Sequence, residues 1–222
     1  WSAYFAQIVL TLIIFQKTFN FTHNDLHSNN VMYEEIEQKY LYYKFENNVY
    51  AIPTFNKLLK IIDFGRSIYQ YKNQIIMSDS FSKTGDANEQ YNYGPFYNNK
   101  KPIIKPNPSF DLCRLGCSLY DNFEEEILND CSASFIQTIK RWTTDDEGRN
   151  ILYKNPHSKN PKERYPGFLL YKMITRNVSH LNPKDEIKKD LYKQFIISNK
   201  EEINNIPKEN IIDIDNLPVL FE

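Results

Sequence analysis

The 222-residue sequence predicts an α+β fold, mostly helical with a minor antiparallel sheet. Three observations carry that expectation. An apolar run of 13 residues, Ala3 to Phe15, stands near the start. Short β-prone runs broken by Asn pairs fill the next fifty or so positions. After Phe110, apolar residues return at helical spacing. Apolar residues make up 41% and charged residues 25%, enough to bury a core and enough to exclude collagen-like, mucin-like and disordered chains. Lys and Arg total 27 against 28 Asp and Glu, a balance that argues against a surface built for bulk nucleic acid or anionic lipid. Three cysteines, two of them four apart on an expected helix, do not make a disulfide framework and fit a reducing compartment.

Each element has a local reason. Residues 1–19 read as a helix buried on most sides: the apolar run is shorter than the roughly 20 residues of a membrane span, contains Gln7, and lacks the basic start and cleavage site of a signal peptide. The helix stops near Asn20, and Phe21 to Asn30 form a polar loop. Val31 to Tyr33 reads as a short strand. Lys39 to Phe45 and Val49 to Ile52 flank Glu46-Asn47-Asn48 and predict a hairpin. Lys57 to Ile62 is a further strand, ending at Asp63-Phe64-Gly65. From Arg66 to Pro108 periodicity is weak, which marks a functional or mobile segment. Helices are expected over Phe110–Phe123, Ser132–Trp142, Tyr165–Val178 and Pro183–Ile197. Pro183 suits a first turn, and Asp111 can cap free amides or anchor a loop. The last twenty residues read as a tail or an edge-packing segment. Asn, Ile, Lys, Tyr and Phe supply 102 residues, a codon-composition signature without chemistry.

The chemistry concentrates in two places. The loop reads His23-Asn24-Asp25-Leu26-His27-Ser28-Asn29-Asn30, and 33 residues after Asn30 comes Asp63-Phe64-Gly65 at a strand end. Phosphoryl transfer from ATP needs a carboxylate for the proton of the attacking hydroxyl and oxygen ligands for Mg2+ on the phosphates. Asp25 suits the first role; Asn30 and Asp63 suit the second. Two carboxylates without a nearby Lys would repel each other in a dry cleft unless a divalent cation joined them.

This set resembles the protein-kinase family, whose signature is H-R-D-L-x-x-x-N followed by D-F-G. His23-Asn24-Asp25-Leu26 with Asn30, Asp63-Phe64-Gly65, and the helix-opening string Asp111 to Gly116 carry the resemblance over residues 1–197. The chain looks most like divergent kinase-like proteins of large DNA viruses, with a D-L-H loop similar to that of haspin-type kinases. The resemblance implies a kinase-like C-terminal lobe over residues 1–200. It contains the catalytic loop 23–30, a hairpin insertion 33–57, the D-F-G turn 63–65 and an activation segment 66–108; a tail follows over 201–222. It implies ATP and Mg2+ as cofactors, a protein Ser/Thr hydroxyl as acceptor, no nucleic acid or membrane partner, and an intracellular setting, in host cytoplasm or a virion.

In its terms Asp25 is the base, with Asn30 also counted among the catalytic residues. Asn30 and Asp63 are metal ligands, and Asn30, Asp63 and His27 contact the nucleotide. His23 and Phe64 pack together as structural residues, and Asp111 holds the backbone around His23. Asn24 stands where the family has the Arg that reads activation-loop phosphorylation, so no such switch is expected. His27 stands where Ser/Thr kinases place a Lys; a D-L-H loop also occurs in aminoglycoside and choline phosphotransferases, the alternative acceptor class. No A-P-E follows, and neither a Gly-rich phosphate loop nor a strand Lys occurs. An ATP-grasping lobe upstream of Trp1 is therefore expected, with little activity from residues 1–222 alone. A pseudokinase interaction module is the non-enzymatic alternative. Cys113 and Cys117 read as core, Asp145 to Gly148 as a solvated turn, Tyr40, Tyr42, Tyr43 and Tyr50 as an ordinary ribbon, and Lys100, Lys101 and Lys105 as a solvated face.

Overall fold

A computed structural model describes residues 1–122 and 131–222. The last residue of the expected helix 110–123, Phe123, lies outside the described residues. The architecture is α+β, with helix outweighing strand at 38% against 19%.

Helix α1 (Ser2–Phe19) ends where Asn20 turns left-handed at φ 46°. By length and composition α1 could cross a membrane, but 56% of it is buried in this fold. Its most deeply buried polar residue is matched rather than stranded: Gln7 accepts from Leu59 N at 2.9 Å and donates to Lys57 O at 3.1 Å, as another strand would.

Strands β1 (Val31–Glu35) and β4 (Lys57–Ile61) pair antiparallel, and β2 (Tyr40–Phe45) and β3 (Asn48–Pro53) form the expected hairpin between them. Glu46 and Asn47 both have positive φ, as a two-residue turn of this twist requires. Tyr43 and Tyr50 face each other in register and are buried, so half of the tyrosine run belongs to the core.

The segment after Arg66 carries more structure than its weak periodicity predicts. Strands β5 (Ile68–Tyr71) and β6 (Gln74–Met77) form a second hairpin, turning at Lys72 and Asn73 with positive φ. Ile68, Phe81, Ala87 and Tyr91 make a small separate apolar cluster beneath the segment. Four-residue strands around a Lys-Asn turn offer little pattern to read.

Helices α2 (Phe110–Asn122) and α3 (Ala133–Trp142) pack against each other, with Ser132 capping α3. Helix α4 (Leu169–Asn177) is shorter than expected because Pro166 and a left-handed Gly167 occupy its first turn. The expected helix 183–197 is two short ones, α5 (Pro183–Glu186) and α6 (Asp190–Lys193), separated by extended Lys189. After α6 the backbone joins β3: Ala51 N donates to Phe195 O at 2.8 Å and Ile197 N to Val49 O at 2.9 Å. Sheet bonding thus takes over what local pattern assigns to helix.

The last twenty residues pack as an edge segment and not as a loose tail. After α7 (Lys200–Asn204), strand β7 (Ile211–Asp213) pairs parallel to β2, Ile214 is fully buried, and Leu220 N bonds Thr18 O at 2.9 Å.

Candidate active site

The loop after α1 is fixed at both ends. Thr22 pairs with Ile68 through two backbone bonds of 2.8 and 2.9 Å. His23 N donates to Asp111 Oδ2 at 2.8 Å and Asn24 N to Asp111 Oδ1 at 2.9 Å. Asp111 is fully buried, and with both oxygens on loop amides it anchors the loop and does not cap its own helix. Burial pushes its carboxyl up, opposed by His23 and those two amides. The His23 ring is satisfied on both sides: Nδ1 accepts from Asp25 N at 3.3 Å, so Nε2 carries the hydrogen shared with Ile62 O at 2.9 Å.

The β1–β4 ladder brings the second motif alongside. Val31 pairs with Ile61, and the next bond runs from Ile62 N to Asn30 O at 3.0 Å, so Asp63 lies one residue past the partner of Asn30. Asn30 donates through Nδ2 to Asp25 O at 2.9 Å, which leaves its amide oxygen as the remaining acceptor. Asp63 is exposed, left-handed at φ 60°, and accepts from Gly65 N at 3.3 Å. Phe64 lies 5.4 Å from the His23 ring but remains 47% exposed. With Phe15, Phe19, Phe21 and Tyr69 it lines an apolar surface hollow of about 230 Å³.

The loop that carries Asp25, His27 and a buried Asn30 therefore runs beside the strand end that leads to exposed Asp63. His27 feels both carboxylates. Burial lowers its pKa from 6.5, Asp25 opposes, Arg114 and His23 add to the lowering, and Asp63 again opposes. Three expectations need correction. The face is open at Asp63, not a dry cleft. Asp25 also does not face the other carboxylate unaided, because Arg66 Nη1 stands 3.7 Å from its Oδ2. Asp145 is likewise no solvated turn residue: it is buried and accepts from Glu147 N, Arg149 N and Arg149 Nε.

Sequence reasoning missed three residues at the site. Arg66 follows the D-F-G turn directly, and also reaches Asp86. Arg114 lies one turn after Asp111 on the same helix, a spacing that a search for charged neighbours of Asp111 could have found. Tyr171 comes from α4, more than a hundred residues from either motif, and no sequence signal marks it. Its hydroxyl donates to Asp25 Oδ1 at 2.6 Å. Asn24 donates to Arg66 O at 3.0 Å and accepts from Tyr91 OH, a structural bridge to the segment beyond the turn.

Among the described residues no group of three His, Cys, Asp or Glu side chains gathers as a metal site. A cation bound through Asn30 and Asp63 would need its remaining oxygens from elsewhere. That donor set fits Mg2+, which commonly takes one or two protein carboxylates and completes its shell with phosphate and water. No protein-family model matches the chain, and no curated protein matches it.

Proposed function

We propose that this chain carries the catalytic face of an ATP- and Mg2+-dependent phosphotransferase of protein-kinase type, with a protein Ser or Thr hydroxyl as acceptor. The observation that supports the reading is backbone placement: the Asp111 anchor fixes the loop that carries Asp25 and Asn30, and the Asn30–Ile62 backbone bond sets Asp63 one residue beyond it. Asn30 Oδ1 and the Asp63 carboxylate would hold Mg2+, which when bound offsets the charge of the transferred phosphoryl group. Asp25 accepts the proton of the attacking hydroxyl. The Asn30 amide fixes the Asp25 backbone, so proton acceptor and metal ligand are set at a constant spacing. Arg66 supplies a positive charge near the carboxylate without coming within hydrogen-bond distance of it.

In the protein as it occurs naturally, Asp63→Ala abolishes Mg2+-ATP-dependent phosphorylation, and Asp25→Asn lowers kcat by about two orders of magnitude or more. Unchanged transfer in either variant overturns the assignment. The position of His27 beside both carboxylates favours one alternative acceptor, a hydroxylated small molecule; turnover of such compounds with none of protein substrates would select it.

A further inference from the structure

We propose that Tyr171 is the positioning residue of Asp25: it holds Oδ1 and leaves Oδ2 as the oxygen that takes the acceptor's proton. The purpose of this clamp rests on the phosphotransferase reading; the clamp itself rests on contacts. Arg114 Nε donates to the Tyr171 hydroxyl oxygen at 3.0 Å, and that hydroxyl donates to Asp25 Oδ1 at 2.6 Å. A phenol has one hydrogen, and a donor already faces its oxygen, so the hydrogen is directed to the carboxylate.

The ring has little freedom to leave. Phe168 stacks on it at 5.1 Å and 20°, Phe110 lies at 5.9 Å, and the Arg114 and Arg66 guanidinium groups stand 5.2 and 5.7 Å from its centre. Three separate stretches, α2, α4 and the residues after the D-F-G turn, therefore meet around one ring.

Among the described residues the charged groups at that hydroxyl are Asp25 and Arg114, with Arg66 over the ring. Burial raises the phenol's pKa, Arg114 lowers it, and the bond to Asp25 raises it again, with a net upward direction. Tyr171 therefore stays protonated at neutral pH and remains a donor, unable to act as the base itself. With Oδ1 engaged and Arg66 at 3.7 Å, beyond hydrogen-bond reach, Oδ2 is the oxygen left to accept a proton.

Two measurements test this. In the protein as it occurs naturally, Tyr171→Phe keeps the ring and its stacking but removes the hydroxyl. It lowers kcat about 10- to 100-fold with KM for ATP unchanged. In the 222-residue chain, 13Cζ-tyrosine NMR shows Tyr171 titrating above an ordinary phenol and moving down in Asp25→Asn. An unchanged kcat in Tyr171→Phe, or a Tyr171 titration that ignores Asp25→Asn, overturns the clamp. Absence of any transfer by the wild-type protein overturns the phosphotransferase reading instead, and the clamp then stands or falls on the titration alone.

Discussion

Asp25 sits on a loop tied to α2 through two buried amide bonds, and its carboxylate meets Tyr171 and Arg66. Asp63 sits on an exposed turn, held left-handed by φ 60° and bonded at 3.3 Å to an amide two residues on. The protein has set one carboxylate with its own donors and has left the other facing outward. The first arrangement suits a group whose direction must be fixed before substrate arrives. The second suits a group that finishes its coordination with something the chain does not supply. The two motifs differ in the same way in what mutation would cost.

That contrast can be broken by stability measurements. Asp111→Ala leaves two buried N–H groups unmatched and destabilises the fold by about 3 kcal/mol in a urea titration. Asp63→Asn keeps a residue tolerant of left-handed backbone and stays within about 0.5 kcal/mol of wild type. Equal losses would erase the distinction drawn between loop and turn. Gly116→Ala tests the helix that carries the anchor. A Cβ there would stand 2.4 Å from Trp142 Cβ and 3.1 Å from its carbonyl carbon, with Trp142 fully buried. The overpacking costs about 1–3 kcal/mol in the same titration.

The smallest effect is a pH dependence. His27 has its folded pKa lowered from 6.5, chiefly by burial. Between that lowered value and 6.5 the unfolded chain binds more protons than the folded one. The His27 contribution is therefore complete above 6.5 and lost as pH falls below it. Its NMR titration midpoint falls below 6.5; a midpoint above would place the imidazole under the control of Asp25 and Asp63 rather than of burial.

Much of this was legible in the residues, and what was not has physical causes. Helix α1 and the β2–β3 hairpin follow from apolar runs and an Asn-rich turn. The spacing of Asp25, Asn30 and Asp63 is visible because a strand end and a short loop place each side chain through local backbone. The second hairpin was hidden because four-residue strands leave no period to detect. The break at Lys189 was hidden because residues 195–197 gain sheet bonds with β3 that no local pattern announces. Tyr171 was hidden for the same reason in stronger form: its partner lies 146 positions away, and only packing of α4 against α2 brings them together.

The most direct test of the central claim is paramagnetic broadening by Mn2+ with ATP, followed by NMR on the 222-residue chain, since Mn2+ shares the oxygen-donor preference of Mg2+. Broadening centred on residues 25–30 and 63–65, removed by Asp63→Ala, is expected. Broadening spread over the acidic surface, unchanged by that substitution, would contradict it.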